Sequence, residues 1–284
     1  MTSRASSPRS VRYRRPDVLI TFLTDFGLED DFVGTCHGVM KRIAPEVEII
    51  DITHGVEPQS ILQGALVLAN TLPYVPEGVH LAVVDPGVGG DRREIAIRGA
   101  DGRLYVGPDN GLLVPAAEKL GGIEAAHEIS NREYALEPVS ATFHGRDVFA
   151  PAAAHLAQGL DIGELGPAVE PDSLVRLEVP KPDISARRIR ARCLYVDRFG
   201  NMQLNLTRRD VEQLGAVPGT QVELELSSDR YYAIAARTFT DARDGEIILY
   251  EDAYENIAIA ISGGSAAVTF SAHPGTDVRI TLAS

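Results

Sequence analysis

The sequence predicts an α/β protein: an N-terminal, mainly parallel sheet with helices on both faces, followed by a small C-terminal β barrel or sandwich. Two observations carry this expectation. Over residues 18–158 short apolar runs alternate with segments of helical spacing, the pattern of a sheet covered by helices. After a stretch containing Pro167, Pro171, Pro180 and Pro182 the periodicity becomes two and stays so to the C-terminus. The expected organisation is a tail over 1–16, an α/β domain over 17–170, a linker over 171–182 and a β domain over 183–284.

The tail carries Arg4, Arg9, Arg12, Arg14 and Arg15 among serines, with no acid and no periodicity, which is the composition of a disordered segment. The apolar run 18–23 predicts a first, buried strand. The loop Thr24-Asp25-Phe26-Gly27-Leu28-Glu29-Asp30-Asp31 follows, then a helix over 32–44 that stops before Pro45. A second strand over 47–51 ends in Asp51-Ile52-Thr53-His54-Gly55. It leads to a helix over 60–72, with Ser60 as N-cap and Ile61, Leu62, Ala65, Leu68 and Ala69 on one face. A third strand over 79–84 runs into Asp85-Pro86-Gly87-Val88-Gly89-Gly90-Asp91-Arg92, where proline and glycines turn the strand into a loop.

Strands over 94–98 and 104–106, turned by Ala100-Asp101-Gly102, form a hairpin that leads to Pro108-Asp109-Asn110-Gly111. Helices follow over 113–120 and 148–158, the second preceded by the polar cluster Thr142-Phe143-His144-Gly145-Arg146-Asp147. In the second domain, strands are predicted over 188–196, 221–226, 231–236, 245–250, 256–261, 266–270 and 277–282. The loop Asp197-Arg198-Phe199-Gly200-Asn201 interrupts that regular pattern.

Composition excludes whole classes of function. With 44% hydrophobic and 24% charged residues the chain has the make-up of a soluble globular protein. Forty acidic residues against 27 basic ones give a net charge of -13, which argues against a nucleic-acid or anionic-membrane partner and favours a small molecule. Two cysteines, Cys36 and Cys193, make no disulfide framework and fit a reducing, cytoplasmic setting. No apolar run approaches the roughly 18 residues of a membrane span, and the N-terminus lacks the apolar core of a secretion signal.

Ligands of such folds gather at the carboxyl ends of the parallel strands, where Asp25, Asp51 and Asp85 fall. A carboxylate directly after a buried strand is costly unless paired or used, and Arg92 is the partner expected for Asp85. Asp25 is placed to accept two hydrogen bonds from a diol such as ribose, whereas Asp30 and Asp31 are also explained by helix capping. His144, at a strand-to-helix turn between Phe143 and Gly145, is a candidate for proton handling. His37, His54, His80, His127 and His155 sit beside apolar or helical residues and read as satisfied structural histidines. The 197–201 loop reads either as a bend using Gly200 and Asn201 or as a binding loop, with Phe199 stacking on a base, Asn201 meeting its edge and Asp197 meeting a cation. The aspartate loop at 25–31 has Leu23 where the calcium loop of nucleoside hydrolases has an aspartate, so no metal is expected there.

Taken in order, Thr24-Asp25-Phe26-Gly27, Asp51-Ile52-Thr53-His54, Val84-Asp85-Pro86-Gly87-Val88-Gly89, Pro108-Asp109-Asn110-Gly111, Phe143-His144-Gly145-Arg146-Asp147 and Asp197-Arg198-Phe199-Gly200-Asn201 resemble one family. It is the S-adenosyl-L-methionine hydroxide adenosyltransferases, or SAM hydrolases, relatives of the fluorinase and chlorinase enzymes. The resemblance runs from about residue 18 to the C-terminus.

It implies a cytoplasmic homotrimer with sites between one subunit's first domain and a neighbour's second. It implies the reaction of SAM with water to give adenosine and L-methionine, with no cofactor and no metal. By the same resemblance Asp85, Arg92 and His144 form the catalytic set, and Asp25, Asp30, Phe143, Asp197, Phe199 and Asn201 bind substrate. Where the family often has an Asp-Ser pair before a late strand, this chain has Asp252-Ala253. The alternatives are a SAM-dependent halogenase, or a silent protein that binds SAM or adenosine. A carboxylate at Asp85, with Val88 and Gly145 at the other aligned positions, favours water over a halide as nucleophile.

Overall fold

The computed structural model describes residues 19–185 and 187–283, so the arginine-rich tail expected over 1–16 lies outside the described residues. The chain divides into two compact units, one ending at Leu177 and the other beginning at Glu178.

The first unit runs β1 (Leu19–Thr24), α1 (Phe32–Ile43), β2 (Ile49–Thr53), α2 (Ile61–Thr71), β3 (Gly78–Val83), β4 (Glu94–Gly99), β5 (Leu104–Pro108), α3 (Val114–Lys119), β6 (Ile123–Glu128), α4 (Ala150–Ala157) and β7 (Ala168–Val169). Its seven strands are ordered β2-β1-β3-β5-β4-β6-β7. The pairings from β2 through β1 and β3 to β5 are parallel. Those of β4 with β5 and β6, and of β6 with β7, are antiparallel. The sheet is therefore mixed: the βαβ repeats build one half, and the hairpin β4–β5 turns the chain back to build the other.

Both faces of the sheet are covered, which is why β1 is buried along its whole length. Ile20 and Phe22 of β1, Val79, Leu81 and Val83 of β3, Ala96 of β4 and Val106 of β5 join one core with Cys36 and Met40 of α1 and Ala153 of α4. The alternate residues, Leu23, Ala82, Ile95, Ile97 and Tyr105, join a second core with Ala65 and Leu68 of α2 and Ala116 of α3. The period of two along the strands thus distributes side chains between two helical layers.

Helix starts depart from the expected capping. Ser60 and Asp31 occupy the N-cap positions of α2 and α1, but neither side chain bonds a backbone N–H. Asp31 Oδ2 instead accepts from the Thr35 hydroxyl, 3.2 Å away. α4 is shorter than expected at its start because residues Gly145–Phe149 form a wider, π-type turn.

The second unit contains β8 (Asp183–Ser185), β9 (Arg188–Val196), β10 (Met202–Thr207), α5 (Arg208–Leu214), β11 (Gln221–Leu226), β12 (Asp229–Ala235), β13 (Ile247–Glu251), β14 (Asn256–Ile261), α6 (Ala266–Phe270) and β15 (Asp277–Leu282). Strand neighbours run β10-β14-β13-β12-β11-β15-β9, and β9 also pairs β10, so the sheet closes into a barrel with β8 appended to β9. Alternation fills the interior: Ile189, Ala191 and Cys193 of β9, Val222, Leu224 and Leu226 of β11, and Val278 and Ile280 of β15 share one core.

Residues 266–270, expected as a strand, are the helix α6. Ser265 caps it by accepting the Val268 N–H, and Ser271 ends it with φ 49°. A five-residue apolar run does not distinguish the two periods, and here the cap decides. The expected strand set also omits β10, although Met202, Leu204 and Leu206 alternate there with Gln203 and Asn205. Among the described residues, no helix is long and apolar enough to cross a membrane.

Candidate active site

β3 ends at Val83, and two residues later Asp85 leaves the sheet with its side chain 5% exposed. The loop after it folds back through two turns, Val88 N–H donating to Asp85 O at 3.3 Å and Gly90 N–H to Gly87 O at 3.0 Å. Gly89 has φ 77°, and a Cβ there would run into the Ala141 carbonyl oxygen. Glycine is therefore required both for the left-handed backbone and for the close approach.

The fold-back returns Arg92 to Asp85. Arg92 Nε donates to Asp85 Oδ1 at 3.1 Å and Oδ2 at 2.9 Å, and Nη2 donates to Oδ2 at 2.5 Å. Such a forked, charge-assisted pair fixes both groups in a largely dry setting. Arg92 Nη2 also lies 2.8 Å from His144 Nδ1, and the guanidinium sits 5.4 Å over the Phe149 ring. Of the three residues expected to act together, Arg92 thus touches both Asp85 and His144 and links them.

Sequence reasoning missed a fourth member. Glu94, the first residue of β4, is 8% exposed, with Oε1 2.7 Å from His144 Nδ1 and 3.5 Å from Arg92 Nη1. Its Oε2 is 3.3 Å from Arg132 Nη1. The available signal was a buried-strand start carrying a carboxylate two residues after Arg92. The cluster holds two carboxylates against two guanidiniums and a titratable imidazole, so its charge balance depends on the state of His144.

The remaining first-unit candidates surround this cluster unequally. Asp25 follows β1, half-buried, and its Oδ2 accepts the Gln59 N–H at 2.8 Å. The loop is held by Phe26 N–H donating to Thr24 Oγ1 at 3.1 Å and Gly27 N–H to His54 O at 2.8 Å. Phe26 meets Phe143 edge to face at 5.8 Å, and Phe143 meets Phe32 at 5.2 Å, so the Asp25 loop and the His144 turn share one aromatic contact. Asp30 is exposed, and among the described residues no hydrogen bond draws it into the cluster.

Behind His144, Asp147 anchors the turn. Arg146 Nε donates to its Oδ1 at 2.6 Å and the Ser140 N–H to its Oδ2 at 2.8 Å. Burial works against the Asp147 charge, but these bonds hold its carboxyl below the usual range. The 108–111 motif is scaffolding. Asn110 Nδ2 donates to Val84 O at 2.8 Å, and Asp109 accepts from Arg93 Nε at 2.8 Å.

In the second unit Asp197 Oδ1 accepts the N–H groups of Phe199 and Asn201, each at 2.9 Å, and Oδ2 accepts Asn201 Nδ2 at 2.7 Å. The loop therefore satisfies its own polar groups, with Gly200 at φ 84° making the bend. This leaves Phe199 77% exposed, lining a cleft of about 640 Å³ together with Tyr195, Tyr250, Asp252 and Tyr254. Burial pushes the Tyr195 and Tyr250 hydroxyls up to about 12, so both stay neutral donors.

The histidines are less uniform than expected. His127 Nδ1 is 2.9 Å from Gly166 O, and His155 meets the Tyr134 ring edge to face at 5.1 Å. His54 and His80, however, bury an Nε2 that has no hydrogen-bond partner. A group with metal-ligating character also forms where none is expected, from His37, Asp51 and His54 and not from the 25–31 aspartates.

Comparison with known proteins follows the same division of the chain. A family model described as the SAM hydroxide adenosyltransferase N-terminal domain matches residues 20–166, and one described as its C-terminal domain matches residues 191–279. A Salinispora tropica protein named (R)-S-adenosyl-L-methionine hydrolase is 47% identical over 94% of this chain and 98% of its own length. A protein of the same name from Thermus thermophilus is 37% identical over 92% and 98%. A fluorinase of Actinoplanes is more distant, 31% identical over 93% and 98%. A crystal structure of an uncharacterized conserved protein from Thermotoga maritima superposes with a TM-score of 0.85 at 35% identity, covering 93% of this chain and all of that one.

Proposed function

We propose, from the premise that this chain belongs to the SAM hydroxide adenosyltransferase family, that it hydrolyses S-adenosyl-L-methionine to adenosine and L-methionine. The observation that carries the proposal is the contact set Asp85–Arg92–His144 at the end of a parallel strand. Carbon 5′ of SAM bears a sulfonium. In-line attack by water on that carbon forms a C–O bond, breaks the C–S bond and releases methionine as a neutral thioether. The leaving group needs no acid. What the protein must do is hold a water in line, take up its proton and keep out competing nucleophiles.

In this reading Asp85 and His144 face the water, and Arg92 fixes Asp85 in place. Three hydrogen bonds from Arg92 already occupy the Asp85 carboxylate, and His144 is the group assigned the proton of the water. Glu94 then faces the imidazolium that forms. Asp25 binds the ribose hydroxyls, with Phe143 and Asp30 on the same side. Phe199 stacks on adenine, while Asp197 and Asn201 hold the shape of that loop.

The enzyme acts as a homotrimer, one copy's first unit and a neighbour's second sharing a substrate, in the cytoplasm and without cofactor or catalytic metal. The net charge of -13 suits a small cationic substrate.

A halide is disfavoured as nucleophile. The Asp85 carboxylate repels an anion and accepts a hydrogen bond from water, and the named fluorinases are the more distant relatives. Chromatography of the purified chain with SAM, EDTA and excess chloride tests the proposal. Adenosine and methionine are expected. Formation of 5′-chloro-adenosine would favour a halogenase, and tight binding without product would favour a silent binding protein.

A further inference from the structure

His37, Asp51 and His54 come from α1, the middle of β2 and the turn after β2, and they converge on one point. His37 Nε2 lies 2.9 Å and His54 Nε2 3.1 Å from the same oxygen, Asp51 Oδ1. One ligand atom from each of the three lies within 4.8 Å of the others. Two imidazole nitrogens and one carboxylate oxygen make the three-ligand donor set that zinc-class ions take, with a coordination position left for water. Metal–ligand bonds of about 2.0–2.1 Å in tetrahedral array put ligand atoms roughly 3.3 Å apart, so the two short separations need open by only a few tenths of an ångström.

The independent observation is the state of His54. Its side chain is 3% exposed, and Nε2 approaches Asp51 without hydrogen-bond alignment, leaving a buried nitrogen unpartnered and aimed into the cluster. The other ring nitrogen is already engaged, 2.9 Å from Thr24 Oγ1. Phe22 fixes the plane of the ring, edge to face at 4.8 Å, and touches His37 at 5.9 Å. An outer partner that orients the imidazole and an inner nitrogen without one are the features of a ligand in a metal site. His37 and Asp51 are 32% and 42% exposed, which opens the cluster to solvent on one side.

We propose that His37, Asp51 and His54 bind a single divalent transition-metal ion of the zinc class, at a site separate from the hydrolytic set. Among the described residues, no hydrogen bond or ion pair joins these three to Asp85, Arg92, Glu94 or His144. The ion takes no part in the reaction. It clamps the corner where α1 meets β2, and through the bond from Gly27 N–H to His54 O that corner carries the Asp25 loop. A single carboxylate among nitrogen donors suits zinc and cobalt and gives magnesium too few oxygens.

The test uses the full chain, stripped with chelator and desalted, then titrated with Zn²⁺ by calorimetry and with Co²⁺ by visible absorption. One Zn²⁺ per chain is expected, with ligand-field bands for Co²⁺, a raised melting temperature and no response to Mg²⁺. His37→Ala changes a half-exposed residue and Asp51→Asn keeps the side-chain shape, so both report even if His54→Ala fails to fold.

Each should weaken Zn²⁺ binding by about a hundredfold, at or beyond the roughly ten- to hundredfold cost of losing an outer partner. His273→Ala, at an exposed histidine on another unit, should leave it unchanged. No binding, binding unaffected by His37→Ala and Asp51→Asn, or an equal response to Mg²⁺ would overturn the proposal. Adenosine formation by the stripped chain is a separate readout, and its loss would count against the metal-independent reaction.

Discussion

Glu94 Oε1 lies 2.7 Å from His144 Nδ1, on the same nitrogen that Arg92 Nη2 approaches to 2.8 Å. One nitrogen serves these two neighbours in different states. Without a hydrogen, Nδ1 accepts from Arg92; with one, it faces the Glu94 carboxylate and leaves Nε2 to take a proton. In the proposed reaction Glu94 therefore serves to favour the tautomer with Nε2 free and to face the charge that forms on the ring. Glu94→Gln should lower kcat by about ten- to hundredfold with KM little changed. In a His144→Ala background the same change should cost almost nothing. Equal losses in both backgrounds would make Glu94 a structural residue only.

Asp85→Asn and His144→Ala should each lower kcat by about 10²- to 10⁴-fold, measured as adenosine released. The two differ in stability. Asp85→Asn leaves the Arg92 guanidinium, 10% exposed, without its main counter-charge. Breaking a buried pair costs about 3–5 kcal/mol, but Glu94 remains near Arg92, so denaturant unfolding should register a smaller loss. An Asp85→Asn enzyme with undiminished kcat would remove Asp85 from the reaction.

Gly89→Ala should be more damaging than its size suggests. The residue sits at φ 77° against the Ala141 carbonyl, in the loop that returns Arg92 to Asp85. A loss of about 1–3 kcal/mol in stability is expected, together with reduced kcat, because the loop must shift to admit a methyl group. Gly102→Ala, also at positive φ but with nothing within 4 Å, should cost less and spare kcat. Equal kcat effects would contradict the positioning role of the Gly89 turn.

His80 is fully buried in β3 beside Thr21, and burial lowers its pKa from 6.5 to about 3. The folded chain thus refuses a proton that the unfolded chain accepts below pH 6.5. Stability contributed by the neutral ring is intact above that pH. It falls as the pH drops toward 3, by up to about 1.4 kcal/mol per unit. His80→Asn should flatten the pH dependence of unfolding over that window relative to wild type. Identical slopes would contradict a neutral, buried His80.

The parts of this molecule legible in the sequence are those set by local period. The βαβ repeats were marked by apolar runs ending in Asp25, Asp51 and Asp85, and most barrel strands by strict alternation, as in β9 and β11. Residues 266–270 form a helix where a strand is expected, because a five-residue apolar run fits either period until Ser265 caps it. At the site, Asp85, Arg92 and His144 stood out through their glycine-rich and turn settings. Glu94 did not, because a carboxylate opening a strand looks like surface until the fold turns it inward beside His144. The His37–Asp51–His54 group was equally hidden, since its members belong to different elements and meet only through tertiary structure.

The most direct test of water as the nucleophile is turnover of SAM in water carrying a heavy oxygen isotope, with the products read by mass spectrometry. Attack at carbon 5′ predicts adenosine with the heavy oxygen in its 5′-hydroxyl and methionine without it. Adenosine that forms without the label, or label that appears in methionine instead, would contradict the account.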